Sequence, residues 1–446
     1  MKSQLLLFGL FLLLLSCAST MDAPIGQSSI TKWKDNKKAA ISITYDDGII
    51  TQFTVARPIM NNLGLPATFY VITGKIEGAG KGKFIGRPKA EIIAETATTK
   101  TNADNFFERA SLIAFTGTSE AVLYHSNAGS LFERGKMEEA YALIDEGYEK
   151  LRKDQLRNTD EVVFHDNKED TTTWNDLKIY AAEGHEIASH TVTHPRLAVL
   201  DETNLLYEIE QSKADVQRFM GEKYTFSAEC PYGTENERVI EYAHKVYPSL
   251  RNRMPEPYLD ELNRASKEIP SKSTKEYVQW QRGPLTKHSM DLMKSWVDTC
   301  VANDNIWLVL VFHGVNQFGW EPKTGEELKE YFSYIKEKEQ DIWVATFADA
   351  TKYIRSRKNA TITSNIQGRK IIVHVSTTLD TTVYDVPITV KTYVPSEWQT
   401  VTLQKEKKEN KDIELKVQTD TIGTYVLYDV IANGTEERLV LLGRSF

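Results

Sequence analysis

The stretch Ala-Ala-Ile-Ser-Ile-Thr-Tyr-Asp-Asp-Gly, residues 39–48, is a short β-rich run followed at once by two carboxylates. Residues 39–45 are typical of a buried strand, and residues 67–72 form a second short apolar run. Between them, residues 52–63 have helical spacing that ends at Gly64, a suitable left-handed cap. Because strand, helix, strand is the parallel crossover unit, this region predicts an α/β fold.

The same alternation recurs further along the chain. Thr173 is predicted to cap a helix that Gly184 ends, Glu186 then begins a strand, and Asp201 starts another helix. Further apolar strands are expected at 307–312 and 342–346. The repetition favours an α/β barrel over a sandwich.

Three further segments complete the predicted organisation. The barrel is assigned to residues 38–357, with an insertion at about 75–170 whose helical stretches form either a structural cap or a wall of the substrate cleft. Residues 365–446 alternate with few helix signals and predict a β-sandwich-like C-terminal domain. We expect this domain to brace the barrel rather than bind a ligand, because no aromatic platform stands out beyond Trp398 and Tyr393.

Composition excludes several classes of protein. The 446 residues carry 54 Lys+Arg and 62 Asp+Glu, a net charge of −8, which argues against a nucleic-acid partner. Hydrophobic residues make up 41% and charged residues 26%, as in an ordinary globular protein. The three cysteines, at positions 17, 230 and 300, are too few and too scattered for a disulfide framework or a Cys-based zinc site.

The N-terminus has the features of an export signal. Lys2 precedes an apolar run at 5–15 that is too short to span a bilayer, followed by Ser16 and Cys17. Residues 14–17 resemble a bacterial lipobox, which predicts a signal peptide at 1–16, lipidation of Cys17, a tether at 17–37 and a membrane anchor facing the periplasm or the exterior. The alternative is cleavage near Ala18 without lipidation.

Two motifs indicate a metal site. Asp46 and Asp47 follow a strand, where barrel enzymes place catalytic groups, and adjacent side chains of an extended backbone point apart, so one can bind metal and the other act as a base. His190 and His194 are four residues apart; in a helical turn they would face the same way and share one ion. The alternatives are an Asp-Gly surface turn and a helix start with two incidental histidines. His185 is interpreted as a structural residue.

Two more motifs complete the set. Residues 228–233 form a tight Pro-Tyr-Gly loop containing Tyr232, whose neighbouring amides can point into a site. His313 follows the apolar run 307–312, a position that suits proton donation. Taken singly, the loop is an ordinary turn, and His313 is better explained as a core histidine hydrogen-bonded to the backbone.

Together, and in this order, the four motifs resemble the polysaccharide deacetylase family, also called carbohydrate esterase family 4 or NodB-like. The resemblance covers about residues 38–353 without the insertion, and it implies a distorted (β/α) barrel that removes acetyl groups from sugars with a divalent metal, zinc being the expected ion. Carried over by position, it implies these roles: Asp46 as general base, Asp47, His190 and His194 as metal ligands, His313 as general acid, and the backbone amide of Tyr232 in the oxyanion hole.

The sequence departs from the family pattern at two points. Glu229 stands where the family usually has an Arg that pairs with the base. We hypothesise that Arg251, Arg253 or Arg282 replaces that Arg, or that Asp46 titrates at higher pH because of the added negative charge. The family's Asp-Trp motif has no clear match; the candidates are Asp291, Trp296 and Asp298.

These features predict a metal-dependent deacetylase that hydrolyses N- or O-acetyl groups of a polysaccharide or oligosaccharide at the cell surface. Two alternatives stay open: a hydrolase of a non-peptide C–N bond in a small molecule, and a catalytically inactive carbohydrate-binding lipoprotein. The sequence indicates no organic cofactor, and it leaves the polysaccharide, the type of acetyl bond and the oligomeric state open.

Overall fold

The computed structural model describes residues 24–158, 172–283, 287–405, 412–431 and 437–444. The strands are β1 (Ser28–Ile30), β2 (Ala39–Tyr45), β3 (Thr68–Val71), β4 (Glu186–Ser189), β5 (Ser227–Ala228), β6 (Ser249–Leu250), β7 (Leu259–Leu262), β8 (Tyr277–Arg282), β9 (Ile306–Phe312), β10 (Ile342–Val344), β11 (Ala360–Gln367), β12 (Lys370–Thr377), β13 (Ile388–Tyr393), β14 (Thr400–Lys405), β15 (Ile413–Leu415), β16 (Val417–Thr419), β17 (Thr424–Val430) and β18 (Glu437–Arg444). The helices are α1 (Arg57–Leu63), α2 (Lys89–Glu95), α3 (Phe106–Ala114), α4 (Ser119–Glu133), α5 (Met137–Arg152), α6 (Trp174–Ala182), α7 (Glu202–Met220), α8 (Glu237–Val246), α9 (Met290–Val301), α10 (Gly325–Glu337) and α11 (Phe347–Asn359).

A parallel sheet forms the centre of the molecule. Its strand order is β6-β5-β4-β3-β2-β9-β8-β7, and β10 also pairs with β2. The first half of β2 pairs with β10 and its last two residues pair with β3, so β2 is where the sheet divides. The ladder between these described strands runs from β6 to β7, which makes the sheet an open, distorted barrel with helices packed around it. This confirms the predicted α/β barrel.

Local sequence explains why these elements begin and end where they do. A π-helical turn, Gln52–Ala56, leads into α1, and Gly64 closes that helix with a φ of 65°. Thr173 caps α6 in a capping box with Asp176, and Asp201 caps α7. All seven residues of β2 and of β9 are buried, as expected for strands covered on both faces.

The predicted insertion is helical where the structure describes it. Helices α2 to α5 pack around their own apolar cluster, which includes Phe106, Ile144 and Tyr148. Val199, just before α7, belongs to the same cluster, so the insertion packs against the barrel. Residues 159–171, at its end, lie outside the described residues.

The C-terminal region contains two antiparallel sheets that share one core. One has the order β1-β13-β17-β16 and the other β11-β12-β18-β14-β15. Strand β1 comes from the segment predicted to be a tether. It is instead the edge strand of the first sheet, and Trp33 nearby is fully buried. The tether prediction therefore fails for residues 28–33, because backbone pairing and burial of Trp33 fix this segment to the folded part.

Two further sequence predictions concern the whole chain. The predicted signal peptide and Cys17 lie outside the described residues, and no described helix is both long and apolar enough to cross a bilayer. Of the cysteines in the described residues, Cys230 and Cys300 are both buried free thiols.

Candidate active site

The polar residues of the site each follow the end of a parallel strand. Asp46 follows β2, His190 follows β4, Glu229 follows β5, Arg251 follows β6 and His313 follows β9. Parallel strands bring their carboxyl ends to one edge, so five separate parts of the chain meet there. Register sets the neighbours, since Tyr45 pairs with Phe312 and Ala228 pairs with Leu250.

Asp46 is bound by a buried arginine. Arg251 donates from Nη1 to Asp46 Oδ1 at 2.7 Å and from Nη2 to Oδ2 at 2.6 Å, a bidentate contact. His313 Nε2 lies 3.4 Å from Asp46 Oδ2. Burial by itself would raise the pKa of Asp46, but the Arg251 guanidinium outweighs burial and holds that pKa well below its usual range.

Arg251 also compensates the departure at Glu229. Its Nη2 lies 2.9 Å from Glu229 Oε1, so one guanidinium serves two carboxylates. Asn252 donates a further hydrogen bond of 3.1 Å to the same oxygen. The first hypothesis for the missing Arg is confirmed for Arg251, and the alternative that Asp46 titrates higher is wrong. Arg253 is exposed and Arg282 stacks on Trp280 instead.

Asp47, His190 and His194 converge beside Asp46 and Arg251. Asp47 Oδ1 lies 3.7 Å from His190 Nε2 and 3.5 Å from His194 Nε2, and one ligand atom from each residue lies within 4.8 Å of the others. His190 Nδ1 hydrogen-bonds the Glu229 carbonyl at 2.9 Å, which directs Nε2 towards Asp47. No described residue donates a hydrogen bond to the buried Asp47 Oδ1. Two nitrogens and an oxygen without a donor fit a divalent metal with open coordination positions.

Burial dominates the protonation of these three side chains. Burial, reinforced by the Asp46 charge, raises the pKa of Asp47 to about 7. Burial lowers the pKa of His190 to about 4, and burial together with His190 lowers that of His194 well below its usual value. Neutral imidazoles are the form that binds a metal, and a cation beside Asp47 would favour its carboxylate form.

The loop that holds the two histidines is not the helical turn predicted from their spacing. Residues 190–196 lie in no helix, and Thr191 and His194 have φ values of 64° and 62°. Glu208 of α7 fixes this shape by accepting hydrogen bonds from the amides of Val192 and Thr193 at 2.9 and 2.8 Å. The histidines therefore converge because of a stabilised loop rather than helical periodicity.

A similar correction applies to the two aspartates. Asp47 has a φ of 76°, so the backbone leaves the extended conformation directly after Asp46. The left-handed turn, continued at Gly48 with a φ of 66°, is what separates the two carboxylates. A turn therefore directs one carboxylate towards Arg251 and the other towards the histidines. The sequence had predicted that the alternation of side chains along a strand would separate them.

Tyr232 lies in the turn Pro231–Gly233 with a φ of 64°. Its ring centroid is 4.8 Å from that of His194, and the Arg196 guanidinium sits 4.2 Å from the ring centroid on its face. Arg196 in turn forms an ion pair of 2.5 Å with Glu133 at the end of α4. These contacts hold the turn at the edge of the site.

A cleft of about 620 Å³ opens over these groups. Val122, Leu123 and Ser126 of α4 line it, so the insertion contributes a wall of the cleft. Trp320 and Arg264 also line it, and sequence reasoning missed both. A signal existed for Arg264, which follows β7 at the same sheet edge as the other site residues.

The remaining sequence candidates lie elsewhere. His185 bridges Asn61 and the amide of Ala67 at 2.8 and 3.1 Å, so it is structural, as predicted. The three candidates for an Asp-Trp motif lie on α9 and do not line the cleft: Asp291, Trp296 and Asp298.

Comparison with known proteins supplies a family match. Residues 132–248 match the family model described as polysaccharide deacetylase. A gellan lyase from a Bacillus species is 28% identical over 253 residues, covering 52% of this chain and 10% of that protein. The chain therefore spans about a tenth of the length of this curated relative.

The matching solved structures share little sequence with this chain. A Streptococcus pyogenes deacetylase is 16% identical, covering 46% of this chain and 51% of that chain, with a TM-score of 0.25. The Xyl-CE4 domain of a multidomain xylanase from the hindgut metagenome of Trinervitermes trinervoides is 12% identical, covering 71% and 91%, with a TM-score of 0.31. A family 4 carbohydrate esterase from Bacillus anthracis is 13% identical, covering 73% and 87%, with a TM-score of 0.31.

The matched stretch contains His190 and His194, together with Glu229 and the Tyr232 turn. Asp46, Asp47 and His313 lie outside the matched stretch but line the same cleft. Residues 132–248 therefore resemble the polysaccharide deacetylase family, and the other groups of the cleft come from outside this matched stretch.

Proposed function

We propose that this chain hydrolyses acetyl groups, in amide or ester linkage, from a carbohydrate with the help of a divalent metal. The family match supports deacetylation of carbohydrate. One observation carries the proposal: a buried Asp-His-His trio lies beside an arginine-bound aspartate and a histidine in a single cleft.

Asp47, His190 and His194 are the residues that would hold the metal, and zinc suits their nitrogen and oxygen donors. When bound, the ion supplies Lewis acidity, which polarises the acetyl carbonyl and makes a water molecule more acidic. The chain's own contribution is to keep both imidazoles neutral by burial and to orient His190 through the Glu229 carbonyl.

Asp46 is the proposed general base. The two hydrogen bonds from Arg251 keep its carboxylate ionised across the neutral pH range and fix both oxygens in place. A carboxylate held in this way can accept the proton that the attacking water loses. Arg251 positions the base without being placed to touch substrate, because it is almost fully buried.

His313 is the proposed general acid. Burial lowers its pKa to about 3, with Asp46 acting in the opposite direction, so the imidazole is neutral in the free protein. It must therefore gain a proton during the reaction, and Asp46 Oδ2, 3.4 Å from Nε2, is close enough to supply the proton taken from water. Protonated His313 then donates to the leaving amine or alkoxide.

The Tyr232 backbone amide is the proposed donor to the oxyanion that forms on the acetyl carbon. The ring contacts with His194 and Arg196 hold the turn that carries this amide. Catalysis by this chain is favoured over a purely binding role because Arg251 supplies the cation that position 229 lacks.

We also propose that the protein is exported and anchored by lipid at Cys17. The support is the apolar run at 5–15 followed by Ser16 and Cys17. Metabolic labelling with a fatty acid tests the idea: Cys17→Ala should lose the label and leave the membrane fraction, and a labelled Cys17→Ala protein would refute it.

An acetate-release screen tests the activity. Purified protein is assayed on chitin oligomers, peptidoglycan and acetylated xylan, with chelator and after Zn²⁺ is restored. We expect acetate from at least one substrate, lost with chelator and regained with Zn²⁺. Acetate release that chelator leaves unchanged would reject metal dependence, and no release from any substrate would reject the proposed activity.

A further inference from the structure

The cleft contains an arginine that the proposed reaction does not use. Arg264 lines the cleft two residues after β7. Its Nη1 atom is excluded from solvent, and no described residue accepts a hydrogen bond from it. The other two guanidiniums of the site are committed, Arg251 to Asp46 and Glu229, and Arg196 to Glu133.

Arg264 lies next to groups that are proposed to take part in the reaction. A methyl group placed on Gly233 would lie 3.4 Å from Arg264 Nη2, so the guanidinium is beside the Tyr232 turn. On its other side, the guanidinium carbon is 5.8 Å from the ring centroid of Trp320. The Trp320 ring in turn meets the His313 ring edge to face at 4.7 Å.

Trp320 is the aromatic surface of this part of the cleft. It is 49% exposed although it lies beside His313, which is largely buried. A flat, exposed indole next to the site is suited to stack on a sugar ring. A sugar stacked on Trp320 would bring its substituents towards Arg264, because the guanidinium lies close to the same ring.

A guanidinium N–H that is shielded from water and has no acceptor is costly unless a ligand satisfies it, and Nη1 of the partly buried Arg264 is in this position. We propose that Arg264 binds a carboxylate of the substrate, so that the protein acts on an acetylated oligosaccharide carrying an acidic sugar next to the acetylated one. This inference rests on the proposed function and specifies its substrate class. A carboxylate fits because it matches the planar donor fork of guanidinium in a bidentate contact.

The alternative role for Arg264 is to offset the charges of Asp46 and Glu229 from a distance. That role predicts equal effects on acidic and neutral substrates, whereas carboxylate binding predicts an effect on acidic substrates only. Glu321, also on the cleft wall, is a further nearby negative charge. The two roles are therefore separated by a pair of substrates that differ in one charge.

The experiment compares an acetylated oligosaccharide containing a uronic acid with its methyl ester, using the full chain with added Zn²⁺. We expect kcat/KM for acetate release to be about 10-fold to 100-fold higher for the free acid, from one charged bidentate contact. Arg264→Gln should abolish this difference, and Arg264→Lys should retain part of it. A second pair, a lactyl-ether sugar and its amide, identifies which source of carboxylate is preferred.

Controls make each outcome decisive. Arg253→Gln removes an exposed arginine outside the cleft and should leave the preference unchanged, and thermal melting checks that each variant folds. Equal kcat/KM for acid and ester in the parent protein, or an equal loss on both with Arg264→Gln, would overturn the inference. If no substrate releases acetate, the proposed function fails, and calorimetric binding of the same pair decides on Arg264 separately: a preference for the acid that Arg264→Gln removes supports it, and equal affinities overturn it.

Discussion

Asp46 and Asp47 are adjacent in the chain, but their carboxylates are stabilised in different ways. Asp46 receives two hydrogen bonds from Arg251, whereas Asp47 Oδ1 receives none from the described residues and faces two neutral imidazoles. As a result the pKa of Asp46 is lowered and that of Asp47 is raised to about 7. The protein therefore supplies the counter-charge of Asp46 itself and leaves Asp47 suited to an external cation.

The largest expected effects separate the two aspartates directly. Asp46→Asn should lower acetate release by about 10²-fold to 10⁴-fold, the usual contribution of a general base, while metal content stays at one ion per chain. Asp47→Asn should lose both activity and metal, because it removes one of three ligands. Acetate assays combined with elemental analysis check this, and an active Asp46→Asn protein would contradict the division.

The substitution Arg251→Gln tests the pairing of Arg251 with Asp46 and Glu229. This change leaves two buried carboxylates without their shared cation and should lower the free energy of unfolding by about 3–5 kcal/mol. Urea denaturation measures it, with Arg253→Gln as the control. The double variant Arg251→Gln with Glu229→Gln should recover part of the loss, and equal stability of the single and double variants would argue against the shared pairing.

Metal binding by His190 and His194 depends on the shape of their loop, which Glu208 stabilises. Glu208→Gln weakens the two amide contacts at Val192 and Thr193, so we expect zinc affinity to fall about 10-fold to 100-fold, as for other residues that orient ligands. Calorimetric titration with Zn²⁺ measures the affinity, and Glu210→Gln on the exposed side of α7 is the matched control. Unchanged affinity in Glu208→Gln would mean that the loop keeps its shape without this carboxylate.

The smallest expected effect concerns the insertion that covers the site. His125 of α4 is fully buried, hydrogen-bonds the Ala110 carbonyl at 2.8 Å and accepts from the Arg196 amide at 3.0 Å. Burial lowers its pKa to about 4, so the unfolded chain binds the proton more tightly and stability falls as pH drops below about 6.5. Between pH 7 and pH 5.5 the loss is about 1 kcal/mol. Urea unfolding at both pH values, with His125→Gln for comparison, should show a shallower pH dependence in the variant.

The sequence predicted those features that depend on local pattern. Buried strands, capped helices and the C-terminal sheets were recognisable from apolar runs and from caps such as Thr173 and Gly64. Each polar motif after a strand lay at the predicted sheet edge, because parallel strands carry their ends to one side. The residues proposed for the metal therefore lie together although long stretches of chain separate them.

Features that depend on long-range contacts or on unusual backbone conformations were not predictable in this way. The choice of Arg251 among three arginines depends on the register between β5 and β6, which places it beside Glu229. The turns at Asp47 and at Thr191 adopt positive φ at non-glycine residues, a conformation that local preference disfavours and only tertiary contacts stabilise. Strand β1 was missed for a similar reason, since three residues pairing with β13 give little local signal.

The central claim is that Asp47, His190 and His194 bind one ion. Anomalous diffraction at the zinc edge from crystals grown with stoichiometric Zn²⁺ tests it most directly. We expect a single strong peak at ~2.0–2.2 Å from one oxygen of Asp47 and from Nε2 of both histidines. A fully occupied zinc bound elsewhere, with these three side chains free of metal, would contradict it.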